Sequence, residues 1–227
     1  MFKKSKAKKK KVRKPVSKIK ELIKGLVLLI LIAAVVRIFL VYPVKVDDSS
    51  MQGSLYEGDH LLTSKLSYNS SNPEQGDIVV FDHPFKSDQS RVGRVIAVEG
   101  QTVEIAGKIV YVNDEPITEY AGVNHSDIKI LPEEFSGRDY FSQIQVPSGE
   151  VFILGDNRDD AEDSRNYGTI EIQKIHGKGL FVYFSWKPDP NAPEMESPYI
   201  IPAVQIVFYN LFHFPSRIRW GRLFSTT

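Results

Sequence analysis

The sequence predicts a mainly β protein, with an N-terminal transmembrane helix followed by a β-rich domain outside the membrane. Three observations carry that prediction. Residues 25–44 form one long apolar run. Residues 1–24 hold 12 Lys/Arg and a single acid, Glu21. Beyond the run, short stretches rich in Val, Ile and Phe recur between Gly, Asn, Asp and Pro, the pattern of strands and turns. The 227 residues suffice for an anchor plus one domain. The chain has no cysteine, which excludes disulfides and cysteine ligands.

Residues 1–24 read as a basic cytoplasmic tail. They leave 17 bases against 27 acids in the rest of the chain. A basic arm on an acidic body is also the pattern of a nucleic-acid binder. Here a juxtamembrane cluster drawn to anionic lipid accounts for it, so membrane lipid is the expected partner and nucleic acid is not.

Residues 25–44, GLVLLILIAAVVRIFLVYPV, contain one charge, Arg37. Twenty residues at helical rise span roughly 30 Å, the thickness of a bilayer core. A buried core helix would carry a polar stripe. A cleaved signal peptide would end in a small-x-small site, and Val44-Lys45-Val46 is bulky. A retained anchor fits, with Arg37 snorkelling and Tyr42 in the headgroup belt. The excess of Lys/Arg before the run sets the N-terminus inside and the body outside.

The body, residues 45–186, reads as β-rich. Strands are expected at residues 77–81, 94–98, 102–105, 109–112, 149–154 and 179–184. Ala106-Gly107-Lys108 closes a hairpin, and Asn113-Asp114 turns the chain. Residues 119–145 are polar without clear periodicity and read as an insertion or loop. Residues 187–227 read as a proline-rich acidic linker and an apolar, then basic, C-terminal segment. The run 199–214 is short for a span, so it is expected to lie at the interface or pack on the body, with Trp220 and the arginines near headgroups. Trp186 is expected to close the last strand in the core. His83, His125, His176 and His213 show no ligand spacing, so no metal and no cofactor is expected.

The densest stretch is residues 155–168, GDNRDDAEDSRNYG. Asp and Asn bond their own backbone, the glycines permit tight turns, and the arginines can cross-brace the aspartates. Arg158 and Arg165 oppose a calcium loop, and EF-hand spacing is absent. The residue chemistry alone reads as a braced surface loop.

These stretches together resemble the bacterial type I signal peptidase (leader peptidase) family, over most of residues 20–186. Ser50-Met51 with Leu55 resembles its Ser-Met-x-Pro-Thr-Leu segment. Gly76-Asp77-Ile78-Val79-Val80-Phe81 resembles its Gly-Asp-Ile-Val strand, and Arg94-Val95-Ile96-Ala97-Val98-Glu99-Gly100 its Lys-Arg-Val-Ile-Gly strand. Gly155, Asp156, Asn157 and Arg158 with Asp163, Ser164, Arg165 and Gly168 resemble its Gly-Asp-Asn-Arg box, the most specific of the four. The resemblance implies a signal-peptidase-like β domain on a single-pass plasma-membrane anchor. It implies a serine endopeptidase acting on the signal peptides of exported preproteins. Ser50 falls at the nucleophile, and Met51 is expected to shape the cleft near the bilayer.

The family's dyad pairs that serine with a desolvated lysine. Here the lysine position is Gly93, and the serine that orients the lysine falls at Ala161. Arginine at 91 or 94 stays protonated and is no base. Asp48 stands where the family has serine or glycine beside the oxyanion hole, and a carboxylate there repels the developing charge. Gly53 replaces a proline and is expected to loosen the turn. Lys65, Lys86, His60 and Asp48 are the groups near in sequence that could stand in for the base. By family the chain is a serine endopeptidase; by its site residues it is impaired or inactive. Two functions stay open. One is the family's cleavage reaction with Ser50 as nucleophile. The other is a non-catalytic protein whose cleft holds exported or surface protein segments as a chaperone or assembly factor.

Overall fold

A computed structural model describes residues 15–134, 137–193 and 200–226 of the chain. Two compact units are present, one ending at Leu40 and one beginning at Val41. The first contains α1 (Pro15–Phe39), whose apolar side chains are exposed all round. A helix with no polar face suits lipid better than a protein core. Its stretch Lys18–Phe39 is, among the described residues, the one helix long and apolar enough to cross a membrane.

The helix starts ahead of the expected run and stops before its end. Residues 41–44, expected inside the anchor, belong instead to β1 (Val41–Lys45). Pro43 cannot donate within a helix, whereas an edge strand tolerates it. Tyr42 and Val44 are apolar because they pack on a core cluster, not because they sit in lipid.

The strands that follow are β2 (Asp59–Ser64), β3 (Ile78–His83), β4 (Lys86–Val98), β5 (Thr102–Ala106), β6 (Ile109–Val112), β7 (Glu115–Pro116), β8 (Phe141–Gln145), β9 (Glu150–Leu154), β10 (Ile170–Glu171) and β11 (Ile175–Ser185). They form a seven-stranded sheet in the order β1-β2-β11-β3-β4-β9-β10 and a four-stranded sheet in the order β7-β6-β5-β8. All the strand pairs are antiparallel. The mainly β reading of the body holds, and the 106–108 hairpin forms as expected, with Ala106 opposite Ile109. Gly107 and Lys108 both take positive φ, the twist that a two-residue hairpin turn requires. Asn113 and Asp114 do the same between β6 and β7.

Further segments differ from expectation, among them β2, which was not among the expected strands. Residues 141–145, expected within a loop region, form β8 on the edge of the second sheet. Its side chains are mostly solvated, so the apolar alternation that marks a strand is missing. The expected strand 94–98 is the second half of a longer one. β4 pairs with β3 along residues 90–94 and crosses to β9 from Arg94 onward. Residues 86–93 therefore keep one strand edge unpaired among the described residues, as does β1 at the end of its sheet.

The C-terminal segment belongs to the second unit. α3 (Ile200–Arg217) is followed by a return onto β11, with Ile218 bridging Trp186 and Thr226 bridging Phe181. Trp186 is only half-buried; Arg217 lies over its ring at 4.5 Å. The arginines expected at headgroups face the protein instead. Arg222 Nε donates to Asp59 at 2.8 Å and Nη2 to the Ser54 carbonyl, while Arg219 Nη1 donates to the Glu57 carbonyl.

Candidate functional site

Ser50 lies on the tight turn after β1. The amides of Ser54 and Leu55 both donate to the Met51 carbonyl, which winds the chain into a single helical turn. Gly53 completes it at φ +111°, and a Cβ there would lie 2.0 Å from the Gly122 carbonyl oxygen. Proline, fixed near φ −65°, cannot occupy this position. Gly53 is thus required by the close approach of two backbones, and the expected loosening of the turn does not describe it.

Met51 is fully buried among Val46, Leu55, Leu61 and Ile78. Its sulfur accepts from the Asp156 amide at 3.4 Å. It does not reach a cleft or a bilayer, contrary to the expectation from the resemblance; it fixes Ser50 from beneath.

Part of the box at 155–168 is buried as the floor of the site, while Asp160, Glu162 and Asn166 stay exposed. Asp156, Asn157, Arg158, Asp163 and Ser164 are all buried. The Asn157 amide donates to the Ser50 carbonyl at 2.9 Å, and its side-chain amide to the Ser49 carbonyl. Gly155 is needed where the floor touches the turn, since a Cβ would stand 2.5 Å from the Ser50 carbonyl oxygen and 2.3 Å from Ala161 Cβ. Burial of so many charges is tolerable only because each is paired. Arg94 grips both oxygens of Asp156 at 2.9 and 2.6 Å. Arg158 grips Glu119 at 2.7 and 2.8 Å, and Arg165 grips Asp163. Asp163 also caps α2 (Ser164–Tyr167), whose Ser164 hydroxyl accepts from the Ile153 amide.

The polar centre is built on Asp48. The Ser50 hydroxyl donates to Asp48 Oδ1 at 2.5 Å, and the Ser50 backbone N–H donates to the same oxygen at 3.0 Å. Arg91 Nη1 donates to Asp48 Oδ2, and Arg91 Nη2 lies 3.5 Å from Glu162 Oε2. Glu162 Oε1 in turn faces His83 Nε2 at 3.8 Å. His83 is buried, and its Nδ1 accepts from the Phe85 amide, which leaves the hydrogen on Nε2, toward Glu162. Tyr167 packs on the His83 ring, and burial, then the nearby Asp163, pushes its phenol up.

Gly93 faces away from this centre's needs. A Cβ on Gly93 would meet Ile153 Cγ2 at 2.4 Å, with Phe81 Cε1 and the Leu154 carbonyl at 3.4 Å. The space a lysine stem requires is filled by a core isoleucine. Arg91 lies two residues earlier on the same strand face, and its guanidinium supplies the cation near the serine. A guanidinium takes no proton from a hydroxyl. Among the other groups near in sequence, Lys65 lies over the Tyr42 ring and His60 against Tyr183 and Phe184. The Ser50 N–H is engaged by the Asp48 carboxylate.

A cleft of about 460 Å³ opens beside this centre, walled by residues 44–48 and 89–92. One wall follows β1, which ends its sheet, and the other is the part of β4 whose second edge is unpaired. A groove between two free edges accepts an extended peptide by backbone pairing.

A profile of the signal peptidase, peptidase S26 family matches residues 19–186. The chain belongs to that family. It is 33% identical over 196 residues to "Probable signal peptidase I-1" of Synechocystis sp., covering 83% of this chain and 93% of that protein. It is 31% identical over 166 residues to "Signal peptidase I" of Bacillus licheniformis, covering 72% of this chain and 88% of that protein. "Signal peptidase I" of Bacillus amyloliquefaciens is 34% identical over 166 residues, covering 71% and 83%. The family acts on the signal peptides of exported preproteins, the general kind of partner the sequence suggested.

The structure brings Ser50, Asp48 and the box together and leaves Gly93 beside them without function in proton transfer. Sequence reasoning passed over Arg91, Glu162 and His83 as members of the centre. For Arg91 the signal was present: strand alternation puts 91 and 93 on one face. His83 and Glu162, 79 positions apart in a chain of 227, carried none.

Proposed function

We propose that this chain is a single-pass membrane protein whose signal-peptidase groove holds extended segments of exported proteins without hydrolysing them. The observation that carries the reading is the occupation of Ser50 by Asp48: one carboxylate oxygen accepts from both its hydroxyl and its backbone N–H. Hydrolysis needs that hydroxyl activated and that amide free, and general-base help alone is worth roughly 10²–10⁴ in rate. Peptide binding needs neither, because the free edges of β1 and of residues 89–92 in β4 supply backbone donors and acceptors. The basic residues 1–24 support a cytoplasmic N-terminus and a body outside the plasma membrane.

The test is capture of a defined peptide. A photo-crosslinker at Gln89 in the full chain should trap a synthetic peptide spanning a signal-peptide cleavage region, and one at the fully exposed Ile128 should not. Equal trapping at both sites contradicts the groove.

A second reading is favoured by the 2.5 Å Ser50–Asp48 contact: a serine endopeptidase in which Asp48 receives the proton. The Asp48→Asn variant separates the two. Loss of preprotein cleavage on substitution supports the enzyme; no cleavage in either form supports the holder.

A further inference from the structure

α3 lies outside the stretch that matches the family, which ends at residue 186. Its inner face is fastened to the body. Tyr209 Oη donates to Asp189 at 2.7 Å, and buried Arg217 reaches Asn210 and the Lys187 carbonyl. Its outer face carries Val204, Val207, Phe208, Leu211 and Phe212, between 50 and 78% exposed. Their spacing of three and four residues draws a single apolar stripe along the helix. Soluble surfaces scatter such residues singly; a continuous stripe marks a covered face.

We propose that this stripe lies on a phospholipid surface as an interfacial helix, a second membrane contact besides α1. Three features select lipid over a protein cover. First, α1 ends at Phe39 and the body starts at Val41, so a body tethered by α1 is held within reach of the bilayer. This step rests on reading α1 as the anchor. Second, the chain carries no Asp or Glu after Glu196, in a body that is otherwise acid-rich, so seating the stripe in headgroups dehydrates no carboxylate. Third, Trp220 follows the helix with its ring exposed and its indole N–H already donating to the Pro215 carbonyl. An indole so satisfied suits the headgroup boundary. The 18 residues of α3 lie along the surface and do not cross it, because the polar side, with Tyr209, Asn210 and Arg217, is bonded to the body.

Because the chain has no cysteine, single labels are straightforward. The full-length chain carries an environment-sensitive fluorophore at Val207→Cys, Leu211→Cys or Phe212→Cys and is reconstituted into phosphatidylcholine/phosphatidylglycerol vesicles. Controls are Ile128→Cys and His213→Cys, the latter on the opposite side of the helix. The proposal expects blue-shifted emission at 207, 211 and 212, quenched by brominated lipid and shielded from iodide, with 128 and 213 remaining aqueous. Iodide quenching at 212 equal to that at 128 overturns it. Brominated-lipid quenching at 213 as strong as at 212 overturns it in favour of a crossing helix. Excimer emission from pyrene at 212 overturns it in favour of a second copy. A chain that fails to float with vesicles removes the anchor reading and this proposal together, whereas a floating chain with an aqueous 212 removes this proposal alone.

Discussion

Asp48 Oδ1 accepts both the hydroxyl and the backbone N–H of Ser50, at 2.5 and 3.0 Å. That relationship satisfies both hydrogen-bond donors of Ser50 within its own turn. The other oxygen of the same carboxylate is taken by Arg91, so the carboxylate bridges the Ser50 turn and β4 beside the groove.

Placing at Gly93 and Ala161 the lysine and serine that the resemblance implies is expected to fail. The Cβ of Gly93→Lys falls 2.4 Å from Ile153 Cγ2, inside a packed core cluster. Overpacking of this kind destabilises by about 1–3 kcal/mol. Gly93→Lys with Ala161→Ser should therefore lower the urea midpoint and yield no cleavage. Adding Ile153→Ala should recover the midpoint. Unchanged stability in the double variant would show that the lysine stem has another route.

The buried Arg94–Asp156 pair should behave as a structural tie under Ser50. Asp156→Ala leaves a buried guanidinium unpaired, and such a loss is worth about 3–5 kcal/mol. Arg94→Met with Asp156→Leu removes both charges and should destabilise less than the single change. Denaturant unfolding of the three proteins checks the order. A single change no worse than the double would contradict the pairing.

Acid should loosen the brace beside the box. Burial opposes ionisation of Asp159. The Lys108 ammonium, the Asp127 amide and Arg138 outweigh it and hold the carboxyl below its ordinary range. At Asp139 burial likewise opposes, and Arg138, the Leu131 amide and Lys108 prevail. Both groups titrate lower in the folded chain than in the unfolded one, where aspartate sits near ~3.9. Their stabilisation is complete above that value and is lost as pH falls through the lower, folded values. Lys108→Met should flatten the loss of thermal stability below pH ~4 and leave the profile above it unchanged in slope.

Much of this fold was legible because local chemistry and tertiary structure agree. The Gly107-Lys108 and Asn113-Asp114 turns take the positive φ that their residue types favour. Where the two disagree, the sequence misleads. Tyr42 and Val44 look like the end of a membrane run, yet they pack on the Met51 cluster. β8 alternates poorly because its side chains face solvent, and Gln89, Ser90 and Arg91 of β4 are polar where they wall a groove. The box reads as a hydrophilic loop, since pairing of Arg94 with Asp156 and Arg165 with Asp163 is what permits its burial. The absent lysine was plain at Gly93; that Ile153 fills its space, and that Arg91 brings a cation from the same strand face, required the packing.

Cleavage of a preprotein by the purified full-length chain, run beside its Ser50→Ala variant, tests the central claim most directly. Both proteins should leave the preprotein intact and show the same crosslinking at Gln89. Cleavage by the native chain that disappears in Ser50→Ala would contradict it.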